Sequence, residues 1–185
     1  MAVVVATGGS AVGCTGDSPD GRQTPAAPPR PVVESSPYLC DFVPEKAFQE
    51  VTGLNIGLNV RWAGPQTDNG LCLAHAKGRQ APLGVRWSYN DGADIVRRQQ
   101  EDTATQSYPL PREMGEGLAV IRPTSGANPR PNYVIALFRC GGKRPWISID
   151  FAPVVRGRDA VQDMFEFMRI AQKRFGEILE CTPKP

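Results

Sequence analysis

Histidine is almost missing from this chain: His75 is the only one. A serine or cysteine nucleophile would therefore have one candidate base, and no Gly-x-Ser-x-Gly turn presents a serine to it. Because catalysis of that kind needs base, nucleophile and orienting group together, His75 reads as a structural residue on a strand. The expectation is a protein that is no enzyme and uses no cofactor. Cys-x-x-Cys pairs are also lacking, so a zinc site would need unusual ligands. No apolar run approaches the roughly 20 residues that cross a bilayer. Lysine is scarce, five against sixteen arginines, and the net charge is only +2. The arginines are spread out, without the concentrated basic stripe that nucleic acid requires, so DNA and RNA are discounted as partners.

Other apparent chemistry has plainer explanations. Asp91 with Asp94, and Glu113 with Glu116, suit helix caps and turns. Gly115-Glu116-Gly117 leads into a strand and lacks the lysine and helix of a phosphate loop.

What is present begins with a run of small and apolar residues from Met1 to Gly13 that ends in Ala11-Val12-Gly13-Cys14. That order matches a bacterial lipobox, after which the cysteine is lipidated and becomes the new N-terminus. Residues 1–13 are then a leader, Cys14 is the lipidation site, and the protein is anchored to the outer face of the cell membrane. The rival reading is an unlipidated cysteine in a low-complexity leader. No Lys or Arg precedes Arg22, so the charged start of a signal peptide is expected upstream. Residues 14–38 follow as a tether rich in proline, with little that can offset its ordering entropy.

Residues 39–185 then make one domain of ordinary size. Setting Cys14 aside leaves Cys40, Cys72, Cys140 and Cys181, an even set that suits two disulfides in an oxidising compartment. Of three connectivities, Cys40–Cys72 and Cys140–Cys181 link neighbouring elements and are preferred. Each closes a loop that stabilises the fold by about 3 to 4 kcal/mol in the chain-entropy model.

Hydrophobic spacing lays out an α+β domain in the order α-β-β-β-α-β-β-β-α, with an antiparallel sheet of about five to six strands. Pro44 opens a helix to Thr52, and Gly53 ends it. Strands follow at Leu58–Trp62, Leu71–Ala76 and Leu83–Tyr89 as a meander. The repeated Val-Arg-Trp at 60–62 and 85–87 puts two tryptophans on the core face and Arg61 and Arg86 in water, in preference to a ligand-stacking pair. Asp91 caps a peripheral helix through Glu101, whose Arg97 and Arg98 form a solvated face.

Three more strands lie at Gly117–Ile121, Tyr133–Cys140 and Trp146–Ala152, with Val134–Phe138 central. The loop over residues 122–132 is longer than a usual hairpin. Ile147, Ile149 and Phe151 share the apolar face, which turns Trp146 outward and makes it, with nearby Arg144, the candidate partner contact. A capping box of Asp159 and Gln162 starts a long amphipathic helix, about Ala160 to Glu180, with Val161, Met164, Phe165, Met168, Phe175, Ile178 and Leu179 packed on the sheet.

The lipobox, the proline-rich tether, Cys40 followed by Asp-Phe-Val-Pro-Glu-Lys-Ala-Phe-Gln-Glu-Val-Thr-Gly, Cys72, the Leu110-Pro-Arg-Glu-Met-Gly-Glu-Gly117 turn and the Cys181-terminated helix together resemble the small actinobacterial lipoproteins grouped as domain of unknown function 3558. The resemblance covers most of residues 39–181 and implies an anchored extracytoplasmic α+β domain, without assigning an activity. The expected function is a monomeric binding or interaction module, held to the membrane by the lipid on Cys14, with an envelope protein as partner. The alternative is a small-molecule or lipid-binding lipoprotein with an apolar cavity between sheet and last helix. A hydrolase comes third.

Overall fold

The computed structural model describes residues 30–102, 106–123 and 128–185. The lipobox, Cys14 and the first part of the tether lie outside these residues.

Chain order runs β1 (Tyr38–Leu39), β2 (Val43–Pro44), α1 (Glu45–Thr52), β3 (Leu58–Ala63), β4 (Asn69–Ala76), β5 (Leu83–Ser88) and α2 (Gly92–Glu101). It continues through β6 (Gln106–Pro109), β7 (Glu116–Ile121), β8 (Asn132–Leu137), β9 (Arg139–Cys140), β10 (Trp146–Phe151), α3 (Ala160–Ile178) and β11 (Pro183–Lys184). The main sheet has seven strands in the order β3-β4-β5-β10-β8-β7-β6, with every neighbouring pair antiparallel. Two meanders therefore meet where β10 docks between β5 and β8. Sequence spacing finds six of these strands and misses β6. Only Tyr108 in Gln-Ser-Tyr-Pro carries a large apolar side chain, and a short edge strand next to a proline leaves little periodicity to read.

One face of the sheet holds the main core. Leu83, Val85, Trp87, Val134, Ala136, Ile147, Ile149 and Phe151 meet Met164, Phe167, Met168, Ala171 and Phe175 of α3 and Phe48 and Val51 of α1. Burying each such large apolar side chain stabilises the fold by roughly 1.5–3 kcal/mol. Phe175 is the centre of an aromatic cluster, with ring centroids 5.5 Å from Trp87 and Phe138 and 6.2 Å from Phe42. The stripe on α3 is rotated from the expected one: Phe167 and Ala171 are buried, Phe165 is half-buried, and Ile178 is 46% exposed. Trp87 is a core residue as expected, and Trp62 packs against the core's edge, donating its indole N–H to Asp41 at 3.0 Å. Val60 shares that face, yet on edge strand β3 nothing covers it, and it is 42% exposed.

Helix caps follow local chemistry with two departures. Asp159 accepts from the amides of Val161 and Gln162, both at 3.0 Å, but Gln162 completes no box because its side chain donates to Glu166 at 2.8 Å. Asp91 starts α2 in a left-handed conformation at φ 61° with no side-chain cap bond. Gly53 ends α1 at φ 68°, a conformation that glycine alone adopts without a Cβ penalty.

Both disulfides connect as the spacing suggested. Cys40–Cys72 ties the β1–β2 turn to β4, and Cys140–Cys181 ties β9 to the residues after α3, with Cα separations of 5.7 and 5.4 Å. The last part of the expected tether departs from expectation by lying on the domain. Val32 is buried, Glu34 pairs with Lys173 at 2.8 Å, and Arg158 donates to the Arg30 carbonyl at 2.8 Å while gripping Asp163 through two bonds at 2.6 and 2.7 Å.

Candidate functional site

The opposite face of the sheet is only half covered. From the end of β5, α2 crosses this face to reach β6 at the far edge. Val96 and Ile95 pack on Leu118, Val120, Tyr133, Ile135, Leu137 and Trp146, forming a second, smaller core. Arg97 and Arg98 face water, as expected, so the helix is peripheral on one side and a core element on the other.

Trp146 is the chief correction. Its side chain does point away from Ile147, Ile149 and Phe151, but α2 covers it. It is 4% exposed and donates its indole N–H to the Asn90 carbonyl at 2.7 Å. Gly92 makes this possible, since a Cβ there would lie 2.6 Å from Leu137 and 2.9 Å from Trp146. The tryptophan thus anchors a helix and offers no surface to a partner.

Arg144 is exposed and pairs with Glu116 at 2.9 Å. It lines a groove of about 540 Å³ with Arg112, Arg139, Leu137, Phe138 and Pro185. His75 sits on β4 in a depression with Arg61, Trp62, Ala63, Leu71 and Leu73, which include neither a carboxylate nor a nucleophile. Asp94 bonds Arg97 at 2.7 Å, as its place in a first helical turn suggests. Among the described residues no group of three or more His, Cys, Asp or Glu could hold a metal ion, and no helix is long and apolar enough to cross a membrane. The space between sheet and α3, where an apolar ligand cavity was the alternative, is filled by Phe151, Phe167, Phe175, Met164 and Met168.

Polar chemistry gathers instead where the cover of α2 stops. A cleft of about 190 Å³ is lined by Arg86, Ile95, Gln99, Arg122, Tyr133, Ile135, Trp146, Ser148 and Asp150. Strand register builds its floor: Arg86, Ser148 and Ile135 form one row, and Gly84, Asp150 and Tyr133 the next. The wall is α2, where Gln99 accepts from the Tyr133 hydroxyl. Arg122 and Arg130, from the described ends of the long β7–β8 loop, bring two more guanidiniums. Arg122 lies 5.2 Å from the Tyr133 ring centre and 3.7 Å from Asp102, and Arg130 donates to the Ala81 carbonyl at 2.6 Å. A Cβ on Gly84 would stand 3.3 Å from Asp150 Oδ2 and 3.4 Å from Arg130 Nε, so the glycine leaves room where carboxylate and guanidinium approach.

Asp150 is the unusual member. It is half-buried, and desolvation pushes its pKa up although Arg130, Arg86 and Arg122 pull it down. Desolvation also raises Tyr133. Among the described residues, the side chains of Asp150, Arg86 and Ser148 make no hydrogen bond or ion pair. A partly desolvated carboxylate that holds no protein donor yet opens into a cleft is a place where a ligand can supply one. This separates the cleft from the larger groove, whose Arg144 and Glu116 already satisfy one another.

Sequence reasoning did not find this cluster. The outward polar residues of β10 and the arginine of Val-Arg-Trp read as ordinary solvated positions, because nothing in the periodicity shows that α2 and the loop ends close around them. No family model matches the chain, and neither a curated protein nor a solved structure matches it.

Proposed function

We propose that this chain is an extracytoplasmic lipoprotein, anchored to the outer face of the cell membrane through a lipid on Cys14, whose α+β domain works as a ligand-binding module. The observation that carries this reading is the cysteine arrangement: Cys40–Cys72 and Cys140–Cys181 pair the four cysteines of the domain, and the fifth in the sequence is the lipobox Cys14. Paired disulfides suit an oxidising compartment, and a lone cysteine after small apolar residues suits lipidation. Likeness to the small actinobacterial lipoproteins of unknown function points the same way.

Binding, in preference to catalysis, is favoured by the depression that holds His75, whose described lining residues include neither a carboxylate nor a nucleophile. The cleft around Asp150 supplies polar groups on rigid strands, a suitable platform for recognition. Intact-mass analysis of native material tests the proposal. The expected result is an acylated Cys14 as N-terminal residue and no thiol open to alkylation. An unmodified N-terminal segment with freely alkylated cysteines overturns it.

A further inference from the structure

Building on the binding-module reading, we propose that the cleft between α2 and the open half of the sheet takes a small polyhydroxylated acid, such as a uronic acid, with its anionic group on Arg86 and Arg122 and its hydroxyls on Asp150. Three features select this class. First, Arg86, Arg122 and Arg130 stand against two carboxylates, Asp150 and the Asp102 that pairs with Arg122 at 3.7 Å, so the surroundings stay net positive and a cationic ligand is disfavoured. Guanidinium groups bind carboxylate or phosphate oxygens through paired N–H donors, and the side chain of Arg86 has no partner among the described residues.

Second, Asp150 accepts hydrogen bonds and gives none when ionised, so a bare anion such as sulfate would meet repulsion and leave it unsatisfied. Hydroxyl donors satisfy it. An ammonium donor would do the same, but would be repelled by the three arginines around it. Third, the cleft of about 190 Å³ is well below the roughly 300 Å³ at which drug-sized sites begin, so it holds one ring. Ile95 and Ile135 give that ring an apolar face, while Ser148, Gln99 and the Tyr133 hydroxyl surround its polar edge.

The test uses the ¹⁵N-labelled full chain with both disulfides formed, titrated with sodium glucuronate, glucose, sodium sulfate and glutamate at constant ionic strength. Glucuronate is expected to give saturable shifts at the amides of Arg86, Ser148 and Asp150, and to bind at least about tenfold more tightly than the other three, since each lost charge-assisted hydrogen bond is worth about a factor of ten or more. Arg86→Ala and Asp150→Asn each weaken it by about tenfold or more. Asp150→Asn keeps the side chain's shape and removes only its charge, and the amide spectrum of the free variant reports whether it is folded, which separates binding from unfolding.

Equal binding of sulfate, tighter binding of glutamate, shifts centred on the Arg112, Arg139 and Arg144 groove, or no saturable binding would each overturn the proposal. None of these outcomes touches the anchored-module reading, which stands or falls on the mass of the Cys14 terminus.

Discussion

Replacing Asp150 by Asn should make the fold more stable at neutral pH. In the folded chain, desolvation on β10 disfavours the charged carboxylate, and Arg130, Arg86 and Arg122 offset this only in part, so its pKa is raised. In the unfolded chain the group titrates near the usual value of about 4. Between those two values the native state keeps a proton that the unfolded state has released. Stability therefore falls as pH climbs through that window and remains lower above it, the reverse of a salt-bridged aspartate. The neighbouring Tyr133 phenol is pushed further up by burial and so does not titrate in that window.

A fully buried polar group left without a partner costs about 1–3 kcal/mol; Asp150 is half-buried and has three cations nearby, so its cost is at the bottom of that range, about 1 kcal/mol at most. For a domain of this size each kcal/mol moves the melting temperature by about 2–4 °C. Urea unfolding with both disulfides intact, at about pH 3 and pH 7, measures it. Asp150→Asn is expected to be about 1 kcal/mol more stable than the parent at the higher pH and equal to it at the lower. A variant that is less stable at neutral pH, or a difference that is the same at both, would refute the reasoning, because either result means that the carboxylate is not desolvated in the native state.

Removing both cysteines of the Cys40–Cys72 pair, which spans a sequence separation of 32, should lower stability by about 4 kcal/mol in the chain-entropy model, read as a shift in urea midpoint; no shift would show that the cross-link constrains little. Arg158→Ala leaves Asp163 buried without its partner, since the two side chains are only 8% and 9% exposed, and should cost about 3 kcal/mol. It also releases the Arg30 carbonyl, so amide exchange over residues 30–38 should speed up, and unchanged exchange there would count against docking of that segment. Gly70→Ala pushes a methyl to 2.5 Å from the Trp87 indole nitrogen and 2.7 Å from Trp62, which should cost about 1–3 kcal/mol and alter tryptophan fluorescence. Phe175→Ala should cost about 3–5 kcal/mol, because four aromatic rings lose their common centre.

Most of the architecture was legible because buried strands and an amphipathic helix carry strong periodicity. Ile147, Ile149 and Phe151 alternate as a half-buried strand must, Val134–Phe138 is apolar throughout as a central strand must be, and both disulfides follow from joining neighbouring elements. What was illegible depends on partners distant in sequence. Phe165 and Phe167 are both apolar on α3, and only the helix's rotation against β10 decides that Phe167 is the one 0% exposed. Trp146 was assigned the correct face and the wrong surroundings, since strand period reports direction and not what lies beyond. The cleft is the extreme case: Arg86, Asp150 and the pair Arg122 and Arg130 come from three separate places in the chain, β5, β10 and the β7–β8 loop, and each alone resembles a solvated charge.

The position of the cleft follows from topology. Because β10 inserts between β5 and β8, the chain leaving β5 must cross three strands to reach the far edge, and α2 is the segment that crosses. A helix only ten residues long covers Leu118, Val120, Ile135 and Trp146 but leaves the β3, β4 and β5 side bare. At the border between covered and bare sheet, a side chain is desolvated by the helix on one flank and open to solutes on the other. Asp150 and Ser148 stand on that border, and the long β7–β8 loop delivers its two arginines there from the opposite side. A covered residue could meet no ligand, and a bare one would be solvated too well to need one. Within this face the border is where a carboxylate can be both partly desolvated by the fold and reachable by a ligand that donates to it.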